Sequence, residues 1–151
     1  MDYVVEIEKL EKFLREEYFR EAARNAGAIL ESALRENYLK VRSSSSPETL
    51  KVLLTAEEKI GKGKSDFKSF TLGQIVGLYR EGKVFSISEV SLGLDCKLAK
   101  RIPLDELTLF RNKVIHEDFV PSLDELLFFV SNLKVVLKEL CLIESFGKDS
   151  L

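Results

Sequence analysis

Apolar residues recur at three- and four-residue spacing over most of this chain, and that period predicts helices. The pattern is clearest in residues 3–42, where charged residues occupy the intervening positions. Because no Gly or Pro falls near Tyr18, this stretch can form one long helix or two helices that meet there. The first clear break is a run of four serines before Pro47, and Ser46 with Pro47 is a typical helix start.

Capping patterns divide the rest of the chain into further helices. Thr71 with Gln74, and Ser122 with Glu125, have the form of capping boxes. We predict an exposed, glycine- and lysine-rich loop over 61–70 and no β-strand, since the only candidate, 84–87, is too short. The predicted helices are about 47–60, from 71 to near Gly82, a short one from Ser86 to before Gly93, 103–116 and 122–145.

These elements predict an all-α, up-and-down bundle of four to five main helices. A chain of 151 residues with 45% hydrophobic residues fits one domain, 1–151. The sequence contains no apolar run near the ~20 residues that a membrane span needs. Its N-terminus is acidic and amphipathic, which is not typical of a secretory signal, so we expect a cytoplasmic protein.

The last predicted helix is apolar nearly all round. Such a helix is normally buried on more than one side. Two explanations are open, namely contact with a second subunit and deep burial within this one chain. Its apolar residues form a stripe of Leu126, Leu127, Val130, Leu133, Leu137 and Leu140, widened by Phe128, Phe129, Val135, Val136, Leu142 and Ile143.

Several familiar chemistries do not fit the sequence. Residues 61–65 end in Gly-Lys-Ser, but a phosphate-binding loop needs Gly at position 58, where this chain has Glu. Cys96 and Cys141 have no paired neighbour and no second His to complete a zinc site. We expect Cys141 to lie on the last helix and to be buried in the hydrophobic core. We predict neither a metal nor a cofactor.

The net charge of −2 is unevenly distributed. Residues 51–101 carry ten basic and six acidic residues, whereas 102–151 carry five basic and nine acidic ones. A basic flank of this kind can hold a phosphate-rich ligand, although charge distribution alone favours the plainer explanation of solvated faces. The candidate contacts in this flank are Lys62, Lys64, Lys68, Lys97, Lys100 and Arg101.

The only histidine, His116, lies near the end of a predicted helix. Asn112 precedes it by four residues, so both fall on one helical face and the amide can orient the imidazole. Arg111 adds a planar fork that suits phosphate, but a five-residue offset puts it about 140° around the helix from His116. A plainer alternative makes Arg111 a salt-bridge donor and His116 a helix cap.

Residues 111–116, Arg-Asn-Lys-Val-Ile-His, resemble the Arg-polar-x-x-x-His signature of the HEPN superfamily (higher eukaryotes and prokaryotes nucleotide-binding). The small-residue-rich segment 22–34 and the segment 71–76 are similar to other parts of that family. The resemblance implies a four- or five-helix bundle, commonly dimeric, in which two signatures form a composite cleft. Many members are metal-independent endoribonucleases of toxin–antitoxin, abortive-infection and CRISPR-associated defence systems.

Carried over to this chain, the resemblance implies that His116 is the acid/base residue, Arg111 the phosphate anchor and Asn112 the orienting residue. Lys97, Lys100, Arg101 and Lys113 are the expected substrate contacts. The leading hypothesis is therefore a homodimeric endoribonuclease acting on RNA. The alternative is a non-catalytic module that binds nucleotide, RNA, a nucleotidyltransferase or an antitoxin.

Overall fold

Regular structure in this protein is entirely helical within residues 1–63 and 66–144, which the computed structural model describes. The prediction of an all-α helical bundle is confirmed. Short 3₁₀ turns at Phe67–Ser69 and Ala99–Arg101 lie in the connections. The helices are α1 (Tyr3–Arg15), α2 (Phe19–Ser44), α3 (Pro47–Gly61), α4 (Leu72–Glu81), α5 (Val84–Ser91), α6 (Leu104–His116) and α7 (Leu123–Glu139).

The first forty residues form two helices, which decides the alternative left open by the sequence. Glu17 adopts a left-handed conformation with φ of 61°. The Tyr18 N–H then donates to the Phe13 carbonyl at 2.9 Å, which closes the end of α1 before α2 begins. The left-handed residue at this break is a glutamate rather than a glycine, so the sequence does not indicate where α1 ends.

Helix α2 is the centre of the bundle, since α1, α4, α5, α6 and α7 all pack against it. Its small side chains allow the neighbouring helices to approach closely. Buried residues follow the helical period along its whole length, and they include Ala22, Ala23, Ala26, Ala33 and Gly27. This position makes α2 the support for any side chain that α6 presents.

Local capping signals predicted three helix starts correctly. Ser46 accepts the Thr49 N–H, with Pro47 as the first residue of α3. The capping boxes at Thr71 and Ser122 are both complete and open α4 and α7. Helix α6 also ends at His116, as predicted.

Three local predictions are wrong. Helix α5 begins at Val84 rather than Ser86, because Lys83 takes up a left-handed conformation (φ of 51°) that starts the helix without a side-chain cap. In the predicted exposed loop, Phe67 and Phe70 are buried. Helix α7 ends at Glu139 rather than near residue 145, and the predicted end at 145 itself lies outside the described residues, as do Lys64 and Ser65.

The two cysteines lie in different surroundings, and the prediction for Cys141 is wrong. Cys141 is exposed beyond the end of α7, so its predicted core position is wrong, whereas Cys96 is buried. Burial first, and then the carboxylates of Glu89 and Glu139, raise the pKa of the Cys96 thiol to about 11. Cys96 therefore stays protonated at neutral pH.

Burial within this chain accounts for most of the surplus apolar surface of the last helix. Phe129, Val136 and Ile143 are buried against the same core as the main stripe. Leu127 and Phe128 remain 47% and 49% exposed. The part of the chain that the structure describes thus leaves an apolar surface near the start of α7.

Candidate functional site

Arg111 lies in the contact between α6 and α2, where a glycine makes room for it. A Cβ atom placed on Gly27 would come within 2.6 Å of the Arg111 Cγ. That distance is shorter than any ordinary van der Waals contact, so the aliphatic part of Arg111 occupies the space of the missing side chain. The helical spacing of apolar residues predicted that Gly27 lies in a helix, but it did not predict the contact between Gly27 and Arg111.

The guanidinium group of Arg111 is held by a carboxylate on α2. Its Nη2 lies 3.2 Å from Glu31 Oε1, and its Nη1 donates to Asn112 Oδ1 at 3.3 Å. Its Nε is buried and has no partner within the described residues. About a fifth of the side chain stays exposed (20%), so Arg111 is anchored but still reaches the surface.

Glu31 is shared between two arginines. Its Oε2 lies 3.8 Å from the Arg35 Nη2. Arg35 in turn donates to the carbonyls of Phe67 and Phe70 at 3.1 and 2.9 Å, and its Cζ lies 5.3 Å from the centre of the Phe67 ring. One carboxylate against two guanidinium groups leaves this cluster with a net positive charge, which favours an anionic ligand.

His116 is the last residue of α6 and is exposed. Within residues 1–63 and 66–144 its side chain makes no hydrogen bond or ion pair. The side-chain amide of Asn112 bonds to Arg111 rather than to the imidazole, so its observed role is to orient the guanidinium. His116 is therefore a free imidazole at the surface.

Arg111 and His116 do not meet within one chain. Arg111 is directed at α2, where it contacts Gly27 and Glu31. His116 lies about 140° further around α6 on ideal geometry, as the sequence indicated. A single imidazole and a single guanidinium can act on one phosphate only if a second chain or a movement brings them together.

The loop that follows His116 is attached to the start of α2. The Arg20 Nη2 lies 2.9 Å from Asp118 Oδ1 and donates to the Asp118 carbonyl at 3.4 Å. Asp118 has a φ of 51°, which is unusual for a residue other than glycine. The ion pair links the loop after α6, two residues beyond His116, to the start of α2.

Sequence reasoning missed the charged residues that share one side of α2 with Gly27, the residue that contacts Arg111. Together with Gly27, these residues recur at three- to four-residue intervals on one side of the helix, namely Arg20, Arg24, Glu31 and Arg35. Arg24 is exposed and makes no ion pair with any described residue. This spacing was readable in the sequence, but only the packing of α6 on α2 shows that Glu31 pairs with Arg111.

The predicted substrate contacts are not gathered around His116. Lys97, Lys100 and Arg101 precede α6, so the length of that helix, roughly 18 Å, separates them from its end. Lys100 forms an ion pair with Glu89, whereas Lys97 and Arg101 are exposed. Lys113 lies within the motif, with its Nζ 5.5 Å from the centre of the Phe119 ring.

A search of the described residues found no group of three or more His, Cys, Asp or Glu side chains placed to bind a metal ion. Across 1–63 and 66–144, no helix is both long and apolar enough to cross a bilayer. Comparisons of the chain with protein-family models, curated proteins and solved structures gave no match. The HEPN resemblance accordingly stays a prediction from the sequence motif.

The Gly27–Arg111 contact predicts a change of sign in a double-mutant cycle. Gly27→Ala should lower the free energy of unfolding by about 1–3 kcal/mol, because overpacking against Arg111 outweighs the better helix propensity. In an Arg111→Ala background the same substitution should instead raise it by about 1 kcal/mol. Urea unfolding of the four proteins measures both effects, and an equal effect in the two backgrounds would contradict the contact.

Proposed function

We propose that this protein is a homodimeric, metal-independent endoribonuclease of the toxin or defence type, as the HEPN-like motif implies. The observation that carries the proposal is the contrast between the two motif residues on α6. Arg111 is fixed by Gly27, Glu31 and Asn112, whereas His116 is exposed and unpaired among the described residues. An anchored guanidinium and a free imidazole are what phosphate binding and proton transfer respectively require.

RNA supplies its own nucleophile, and this limits what the protein must contribute. In the proposed reaction His116 removes the proton from the 2′-hydroxyl, whose oxygen attacks the adjacent phosphorus. The 5′-oxygen leaves and takes up a proton, so the products are a 2′,3′-cyclic phosphate and a 5′-hydroxyl. Arg111 stabilises the negative charge on the non-bridging oxygens, and the net positive cluster around Glu31 attracts the phosphate.

The proposal requires two chains because Arg111 and His116 of one chain lie on different sides of α6. In a two-fold dimer His116 of one chain can face Arg111 of the other, and water supplies the proton that the leaving oxygen takes up. The candidates for the contact between the two chains are the apolar side chains exposed on α6, the following loop and the start of α7, namely Leu109, Ile115, Val120, Leu123 and Leu127.

We predict that the protein sediments as a dimer at micromolar concentration without RNA or another partner. Leu127→Glu should shift it towards monomer, because it places a charge in the apolar surface. Val90→Glu, at an 87% exposed position on α5, is the matched control and should leave the dimer intact. A wild-type protein that is only monomeric would contradict the dimer.

The direct test of activity is incubation of varied RNAs with the protein in EDTA across pH 5–9. The proposal predicts cleavage that needs no divalent metal and leaves 2′,3′-cyclic phosphate ends. Binding of RNA without any cleavage would overturn the enzymatic proposal in favour of a binding module.

We further propose that RNA reaches the basic residues before α6. Replacing Lys97, Lys100 and Arg101 together by alanine should make the slope of log K against log salt shallower by about 1.4, roughly 0.7 for each of two contacts. Only two contacts are counted because Lys100 is already paired with Glu89. Lys9→Ala with Lys12→Ala on α1 is the control, and an unchanged slope in the triple variant would remove this surface from the proposal.

A second candidate is a non-catalytic module that binds nucleotide, RNA, an antitoxin or a nucleotidyltransferase. The Arg111–Glu31 ion pair favours it, since the pair also explains Arg111 as a structural residue. Under this alternative the protein does not cleave RNA, so His116→Ala has no cleavage to remove. Glu31→Gln lowers the stability of the fold without changing RNA binding. The cleavage assay in EDTA separates the two candidates.

A further inference from the structure

A groove of about 330 Å³ lies between the first half of α6 and the start of α7. Its floor is aromatic, because Phe110 and Phe129 pack there with tilted rings whose centres lie 5.6 Å apart. Phe128 forms part of the wall and is 49% exposed. An exposed aromatic beside an aromatic cleft is the kind of surface that partner proteins use as an anchor point.

The rim of this groove is acidic. Glu106, Asp124 and Glu125 line it, and no basic side chain does so among the described residues. Glu125 is engaged by the Ser122 N–H and hydroxyl at 3.1 and 3.0 Å. The groove therefore combines an apolar floor with three carboxylates, of which Glu106 and Asp124 have no ion-pair partner among the described residues.

From this combination we infer that the α6–α7 groove is a docking site for a basic amphipathic helix of a partner protein. Helices commonly bind grooves of this kind through apolar side chains at three- and four-residue spacing. Lysine or arginine residues on the flanks of such a helix would meet the three carboxylates. This inference does not depend on the proposed ribonuclease activity.

A second copy of the chain fits the groove less well. In a two-fold contact centred on it, each residue faces the same region of the other subunit. Glu106, Asp124 and Glu125 would then approach their own counterparts, which costs free energy. The acidic rim therefore disfavours this groove as the contact between two copies. The proposed dimer surface, which includes Leu127, is a different surface.

Phe128 and Leu127 provide a matched pair for the test. They are adjacent, similarly exposed at 49% and 47%, and only Phe128 lines the groove. The probe is a fluorescein-labelled amphipathic helix built of leucine and lysine, measured by fluorescence anisotropy. A peptide with glutamate in place of every lysine serves as the control for charge.

We expect the leucine–lysine peptide to bind the wild type, with affinity that falls as salt rises. Phe128→Ser should weaken binding about tenfold or more, the loss typical of an aromatic anchor, while Leu127→Ser should leave the affinity nearly unchanged. Asp124→Asn should weaken binding severalfold and reduce the salt dependence. Circular dichroism checks that each variant keeps its helices, and Asp124→Asn provides the test if Phe128→Ser does not fold.

Three results would overturn the inference. The first is no binding of the leucine–lysine peptide to the wild type, and the second is equal binding of the leucine–glutamate peptide. The third is sedimentation showing that Phe128→Ser dissociates a dimer while peptide affinity is unchanged, which would identify the groove as a contact between copies.

Discussion

Replacing His116 by alanine is expected to abolish RNA cleavage while leaving the fold intact. His116 is exposed at the end of α6 and its side chain makes no hydrogen bond or ion pair with any described residue, so removing the imidazole breaks no polar contact. A positioned acid or base contributes about 10²–10⁴-fold to a rate. The cleavage rate should fall by at least that factor, with the unfolding transition unchanged.

A matched control for this substitution is Lys113→Ala, one helical turn earlier on the exposed part of α6. It removes a flexible charge and should change affinity more than the rate at saturating RNA. If His116→Ala retains the wild-type rate, the imidazole takes no part in the chemistry. If it loses both activity and helicity, the residue has a structural role that its exposure does not indicate.

The second large effect is expected for Arg111→Lys. Lysine keeps the positive charge but cannot contact Glu31, Asn112 and a phosphate oxygen with one planar fork. Losing one donor that stabilises a developing oxyanion costs about 10²–10³-fold in rate. We therefore expect the cleavage rate of Arg111→Lys to fall by that factor.

The rate at saturating RNA, measured beside the free energy of unfolding, distinguishes a chemical from a structural role. A structural role predicts lower stability with a proportionate loss of binding, whereas the proposed role predicts a slow step with RNA still bound. Asn112→Ala is the milder companion, because it removes one hydrogen bond to the guanidinium and no charge. Wild-type turnover by Arg111→Lys would contradict the need for a planar fork.

The sequence predicted the parts of this fold that are determined locally. Caps at Ser46, Thr71 and Ser122 depend on residues three positions apart, so their pattern is visible in the sequence. The break before α2 and the start of α5 depend instead on left-handed Glu17 and Lys83. Neither Glu nor Lys is typical of that conformation. The sequence therefore allows one helix or two around Tyr18, and it predicts the start of α5 two residues too late.

The candidate site also has one part that the local sequence predicts and one part that depends on long-range packing. The motif on α6 was readable because its members lie within six residues of one another. The Arg111–Glu31 pair spans 80 positions, and it depends on Gly27 admitting the Arg111 side chain between two helices. Contacts at such separations follow from packing, so the sequence alone indicated the site but not the carboxylate that orients it.

A mixed dimer tests most directly the claim that one site is built from two chains. His116→Ala and Arg111→Ala proteins are each expected to be inactive when assayed alone in EDTA. After the two proteins are mixed and allowed to exchange subunits, half of the dimers should contain one chain of each variant. In each such dimer one of the two sites should hold an intact Arg111 and His116 from opposite chains. The mixture should therefore show about a quarter of the wild-type activity. A mixture that exchanges subunits and still does not cleave RNA would contradict the composite site.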